Sequence, residues 1–397
     1  MYRFLFLYIS VIHAELEMVQ VLVRHGDRAP SFTYPLDNTF EVSEHFPRGF
    51  SQLTKRGFEQ AKEVGIFLRK RYEGFITKFD RQETLIRSSD KDRCIETAMG
   101  ISQTLFPEEI VPIHTFSNYK QDLLLKPNSV RCRRVEEVVH NDKRNLADTI
   151  SKKYQSFLQL LSENTGWDVT PLKISDVFNV LHRKEKNGIP QPEWVYTVLG
   201  NVTELKRQIR TTEFNSAEKS KLRTGFLLGQ LSKDLNILNE SRIQKQKKLI
   251  IYATHDATLT SLMYSMGISD HQLIPYTASL IIELHRINGK RYVKILYRLS
   301  NEPVPTEKLI PLCDVMCPLE HYNRFVAPRS FTSKEEFDSA CGNYDNTLEA
   351  PTRPSNKLIE PDSILSEESI FSPIITFASL SIYDLFSFMK TSRAAPA

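Results

Sequence analysis

The sequence predicts an α/β fold: a mostly parallel central sheet with helices on both faces, plus an inserted, mostly α-helical cap domain. Two observations carry this expectation. Three short apolar runs, Glu17 to Val23 (EMVQVLV), Glu83 to Arg87 (ETLIR) and Lys248 to Ala253 (KLIIYA), are each bounded by polar or charged residues, and each is followed by a stretch with helical periodicity. Between about 116 and 245 the pattern changes to charged helical segments without a clear strand, so one helical block interrupts the alternation.

The first run is rich in Val, apolar at nearly every position, and reads as a strand buried on both faces that stops at Arg24-His25-Gly26. From Leu53 to Tyr72, Gly57, Ala61, Val64, Gly65 and Leu68 recur at three- and four-residue spacing, with Lys and Arg opposite and Thr54 placed to cap the start. The second strand ends in Arg87-Ser88-Ser89-Asp90, and Pro107 closes the helical stretch Asp92 to Phe106. The third strand ends at Thr254-His255-Asp256, before helical Ala257 to Met266. Ser279 to His285 and Val293 to Leu299 flank Asn288-Gly289 and read as an antiparallel hairpin.

These elements divide the chain into a signal segment at 1–14, an α/β core at 15–115 and 246–341, the cap at 116–245, a linker at 342–369 and a hydrophobic tail at 370–397. The first segment carries Arg3, the apolar run Phe4 to Ile12 and then Ala14, the pattern of a secretory signal peptide, too short to span a bilayer. The linker holds Pro351, Pro354 and Pro361. Ile370 to Met389 has nearly the length of one membrane span, but Asp384 opposes insertion by about 3 kcal/mol, so the sum lies near zero and the tail is a candidate single-pass anchor.

The 52 Lys and Arg against 48 Asp and Glu leave a net charge of +4 on 397 residues, too little to favour nucleic acid. Secretion suits the five cysteines, an odd count that suggests two bridges and one leftover thiol. It also suits the glycosylation triplets at Asn201 and Asn239. The implied location is the secretory pathway, secreted or lysosomal, with the tail at 370–389 as the alternative anchor to a membrane.

Ligands of open α/β sheets bind beyond the carboxyl ends of the strands, so the three loops would converge there and bring together Arg24, His25, Arg28, Arg87, His255 and Asp256. That set suits a phosphate monoester. Guanidinium forks match phosphate oxygens in pairs and offset its two negative charges. A histidine among arginines stays neutral and nucleophilic, and an aspartate can give a proton to the leaving oxygen. A lone His or Arg at a strand end is more often structural, but the run Arg24-His25-Gly26-Asp27-Arg28-Ala29-Pro30 fixes five positions, R-H-G-x-R-x-P, a match expected by chance on the order of once in ten thousand such chains. Residue chemistry alone leaves open whether His25 or His255 is the nucleophile.

This heptad, with the downstream His255-Asp256, resembles the histidine acid phosphatase family, the branch of the histidine phosphatase superfamily that holds the prostatic and lysosomal acid phosphatases. The likeness continues through Gln52-Leu53-Thr54, Arg69-Lys70-Arg71-Tyr72, Arg87-Ser88-Ser89-Asp90-Lys91-Asp92-Arg93, Pro275-Tyr276 and Cys313 to Leu319, covering about Val19 to Cys341. It implies a hydrolase of small phosphomonoesters or phosphoproteins that forms a phosphohistidine on His25. Arg24, Arg28, Arg87 and His255 would bind the phosphate, Asp256 would donate the proton, and neither metal nor cofactor would be used. The resemblance also implies the bridges Cys132 with Cys341 and Cys313 with Cys317, leaves Cys94 as a thiol, and makes a homodimer a candidate state. Rival readings are a phytase or inositol phosphate phosphatase sharing the same motifs, a phosphomutase, and a non-catalytic secreted binder; the signal segment speaks against the mutase, and intact His25 and Asp256 against the binder.

Overall fold

The computed structural model describes residues 14–38, 41–237, 247–300 and 302–342. The signal segment up to residue 13, Asn239, and the linker and tail from 343 onward lie outside the described residues.

Seven strands among the described residues form one open sheet. Its left half, in the order β2 (Thr84–Ser88), β3 (Leu249–Thr254), β1 (Ala14–Arg24), is parallel, with Val19 opposite Leu249 and Thr84 opposite Leu249 on the other side. Its right half is antiparallel: β4 (Ser279–Ile287) pairs with the free edge of β1, β5 (Lys290–Arg298) returns beside it, and β6 (Thr306–Lys308) and β7 (Cys317–Pro318) pair with β5. The sheet is therefore mixed, and parallel only where the motif-bearing strands lie. The reason is the hairpin read at Asn288-Gly289: both residues take positive φ, 49° and 77°, as a tight turn between twisted strands demands, and the hairpin docks on β1 instead of standing apart. β1 begins earlier than the apolar run, since Ala14 and Glu15 already pair with Ile287 and Arg286.

Alternate residues of the inner strands enter two separate cores. Val19, Val21 and Val23 of β1 pack with Leu249, Ile251 and Ala253 of β3 against α2 (Lys55–Arg71) and α3 (Asp92–Leu105). Met18 and Leu22, with Ile250 and Tyr252, face the opposite layer of α8 (Ala217–Ile237), α9 (Asp256–Ser265) and α10 (Leu319–Val326). Burial on both faces explains why these strands read as continuous apolar runs; each fully buried Val or Leu contributes about 1.5–3 kcal/mol.

The remaining helices are α1 (Val42–His45), α4 (Arg133–Lys153), α5 (Gln155–Thr165), α6 (Ile174–Lys186), α7 (Glu193–Thr212) and α11 (Lys334–Ala340). Helices α4 to α7 close around an apolar cluster of their own that includes Leu161, Val177, Leu181, Val198 and Leu205, and it takes in Tyr34 from the loop after β1. The helix that follows, α8, instead sends Leu227, Leu228, Leu231 and Leu235 into the core beneath the sheet. Cys132, just before α4, is bonded to Cys341, just after α11, and Cys313 is bonded to Cys317. Cys94 is buried and forms no disulfide. No described helix is long and apolar enough to cross a membrane.

Candidate active site at the carboxyl edge of the parallel strands

The register aligns the three strand ends: Arg24 lies opposite Thr254, and Ser88 opposite Ala253. The loops that follow are pinned to one another through their backbones. The His25 amide donates to the Thr254 carbonyl at 3.0 Å, the Ser89 amide to the Ala253 carbonyl at 3.0 Å, and the Gly26 amide to Thr97 Oγ1 at 3.0 Å. Thr54 caps α2 by accepting from the Gly57 amide and donates its own proton to the Asp27 carboxylate at 2.8 Å. Gly26 and Gly57 permit this approach: a Cβ on Gly26 would stand 2.2 Å from the Gly57 carbonyl oxygen, and one on Gly57 would stand 2.1 Å from that of Asp27. Any larger residue at either position would push the motif loop off its helix.

His25 is 3% exposed. Its Nδ1 lies 2.9 Å from the Gly26 carbonyl, which can only accept, so Nδ1 carries the proton and Nε2 presents a bare lone pair. Burial, and then the charges of Arg93, Arg24, His255 and Arg28, hold its pKa well below the usual histidine value. The imidazole is therefore neutral in acid. The His255 ring stands edge-on to it, 5.7 Å away, with its Nε2 2.9 Å from Ser89 Oγ and the Cys94 thiol 3.7 Å beneath.

Arg24 lies over the Tyr276 ring at 4.1 Å and donates to the Ile274 carbonyl, so the loop before β4 fixes it. Arg28 donates to the Ala29 carbonyl and to Ser31 Oγ, at 2.9 and 3.0 Å. Asp256 opens α9, where the helix N-terminus favours a carboxylate, and its Oδ2 is 3.1 Å from the Arg210 guanidinium of α7. Burial raises the Asp256 pKa, but Arg210, Arg24 and Lys206 outweigh it and hold the carboxyl well below the usual range. Arg210 also holds Glu213 at 2.6 Å, and Lys143 pairs with Glu213 at 2.6 Å.

The structure thus gathers Arg24, His25, Arg28, His255 and Asp256. Arg87 is placed differently. Its guanidinium pairs at 2.9 Å with the buried Asp122, on the face of β2 turned toward Tyr252. Arg93, in the first turn of α3 and buried, supplies the largest charge acting on His25. Strand ends do not mark Arg93, because it lies on the helix, four residues before the Thr97 whose hydroxyl binds the motif loop. The α6 residue Arg183 and the α7 residue Arg210 were also missed, since nothing local marks a helix that will fold over a distant loop. Asn201 lies exposed on α7.

Comparison with known proteins identifies the family. The family model described as histidine phosphatase superfamily (branch 2) matches residues 15–298. Lysosomal acid phosphatase of Bos taurus is 31% identical over 336 residues, covering 79% of this chain and 78% of its own. Prostatic acid phosphatase of Homo sapiens is 30% identical over 341 residues, covering 80% and 86%. Among solved structures, the phytase from Citrobacter braakii superposes with a TM-score of 0.66 at 15% identity, over 83% of this chain and 99% of its own, a likeness of fold. The family model over residues 15–298 and relatives at 30–31% identity over about four-fifths of the chain place it in branch 2 of the histidine phosphatase superfamily.

Proposed function

We propose that the protein is an acid phosphatase that hydrolyses phosphate monoesters through a phosphohistidine on His25. The observation that carries this reading is the buried His25 imidazole, its Nδ1 proton held by the Gly26 carbonyl and its Nε2 bare, set among guanidinium groups. Nε2 attacks phosphorus, the bond to the ester oxygen breaks, and Asp256 relays to that oxygen the proton carried in by the ester monoanion. Water then attacks the phosphohistidine, Asp256 takes the proton from it, and orthophosphate leaves with Nε2 restored. Arg24, Arg28 and His255 bind the transferring phosphate, where charge spreads over the equatorial oxygens. In our reading Arg93 completes this clamp, because Arg87 is committed to Asp122.

The substrates are small phosphomonoesters or phosphoproteins, and the signal pattern together with the named relatives supports action in the secretory pathway. Purified protein assayed at pH 5 should release phosphate from aryl and alkyl monoesters and leave the matching diesters intact. Absence of monoester turnover by folded protein would refute the reading.

A further inference from the structure

Helix α6 lies over the motif loop. Ile189, just past its end, packs against Ala29 of the motif, and Tyr34 enters the cluster around Val177 and Leu181. Lys184 forms a buried pair with Asp37 of the loop after β1, and Arg56 of α2 donates to the Lys186 carbonyl. Two polar side chains one turn apart on this helix are unsatisfied. Arg183 is 9% exposed; it donates to the Asn179 carbonyl of its own helix at 2.9 Å, its Nε–H finds no acceptor, and among the described residues no carboxylate pairs with it. Asn179, also buried, has a side-chain oxygen without a partner. The groups whose charges act on Arg183 are Tyr276, Arg24, Asp256 and Asp27, all at the carboxyl edge of the sheet.

A buried guanidinium without a counter-ion is costly unless an anion compensates it. Arg210 has Asp256 and Glu213, and the transferring phosphate compensates the clamp. Among the described residues Arg183 has no such partner. We propose that Arg183, with Asn179 beside it, forms a subsite for a second anionic group, a carboxylate or further phosphate carried on the leaving half of the substrate. This inference rests on the phosphomonoesterase reading and narrows its substrate class to esters bearing two anionic groups.

The test compares phenyl phosphate with 4-carboxyphenyl and 3-carboxyphenyl phosphate. Because the esters differ in intrinsic reactivity, the quantity to follow is the ratio of their kcat/KM values across variants, in which that difference cancels. Arg183→Gln should lower the ratio of the better carboxylated ester to phenyl phosphate by about tenfold or more, the scale of one charged hydrogen bond, while Arg183→Lys keeps most of it. A ratio unchanged within about twofold, or equal losses on all esters, would overturn the subsite. Should Arg183→Gln not fold, calorimetry on the wild type decides: a carboxylated phenylphosphonate should bind about tenfold more tightly than phenylphosphonate, and equal binding overturns the proposal. If folded wild type turns over none of the esters, the phosphatase reading fails, and the phosphonate comparison still judges the subsite.

Discussion

Arg210 places its guanidinium 3.1 Å from the Asp256 carboxylate and holds Glu213 at 2.6 Å with the same group, so the carboxylate that opens α9 is ion-paired to helix α7. In the resting enzyme Asp256 is ionised even in acid, because the surrounding cations outweigh the effect of burial.

The proton for the leaving oxygen must then enter with the substrate, as the monoanion of the ester, whose second pKa is about 6. For alkyl phosphates kcat/KM should fall about tenfold per pH unit above that value, with the break following the ester's own pKa. Arg210→Gln removes the largest charge acting on Asp256 and lets burial raise its pKa, so the acid limb of the profile should move up by about one unit or more. A profile with the same acid limb in both proteins would contradict this role for the pair.

The clamp makes a separate prediction. Arg24→Ala, Arg28→Ala and Arg93→Ala should each lower kcat/KM for an aryl phosphate by about a hundredfold or more, the scale of one lost transition-state donor. Arg87→Ala should cost at least about tenfold less, acting through the buried carboxylate of Asp122 that it leaves unpaired. The reverse ranking of Arg87 and Arg93 would return Arg87 to the clamp.

Because guanidinium groups supply the positive charge, hydrolysis should persist undiminished in excess chelator. Loss of turnover on chelation, restored by a divalent metal, would contradict the proposed chemistry.

Stability should depend on His182 as well as on the site. Burial, followed by the charges of Arg183 and Lys186, lowers its pKa from 6.5 to about 3, so the unfolded chain binds the proton more readily in the window between those values. The stabilisation is complete above pH 6.5 and declines as pH falls through that window, with a slope of up to about 1.4 kcal/mol per unit. His182→Phe, which keeps a ring against Phe178, should show a shallower loss of unfolding free energy between pH 6.5 and 4 in denaturant titrations. Identical slopes would show that His182 does not titrate as its burial implies.

The parts of the fold legible in the sequence were those with local periodicity. β1, β2 and β3 announced themselves because both faces are buried, α2 because its small and apolar residues share one stripe above Thr54, and the β4–β5 hairpin because Asn288-Gly289 suits positive φ. Their convergence followed from the rule for strand carboxyl ends, the edge at which Arg24, His25, Arg28, His255 and Asp256 lie. What stayed hidden depends on contacts between segments far apart in the chain. Docking of the hairpin on β1, the return of α8 to the sheet, and the pairing of Arg210 with Asp256 leave no local trace. Arg87 and Arg93 lie six residues apart in one charged run, and only the strand-to-helix transition decides which of them is turned toward His25.

The central claim is the covalent intermediate on His25. Wild-type protein mixed rapidly with a phosphorus-labelled aryl phosphate, quenched without acid and digested, should yield an acid-labile phosphopeptide spanning Arg24 to Arg28 with the phosphate on His25. His25→Ala should give neither that peptide nor turnover, although His255 remains in place. Label recovered on His255, or turnover without any trapped phosphohistidine under conditions that show a burst, would contradict the account.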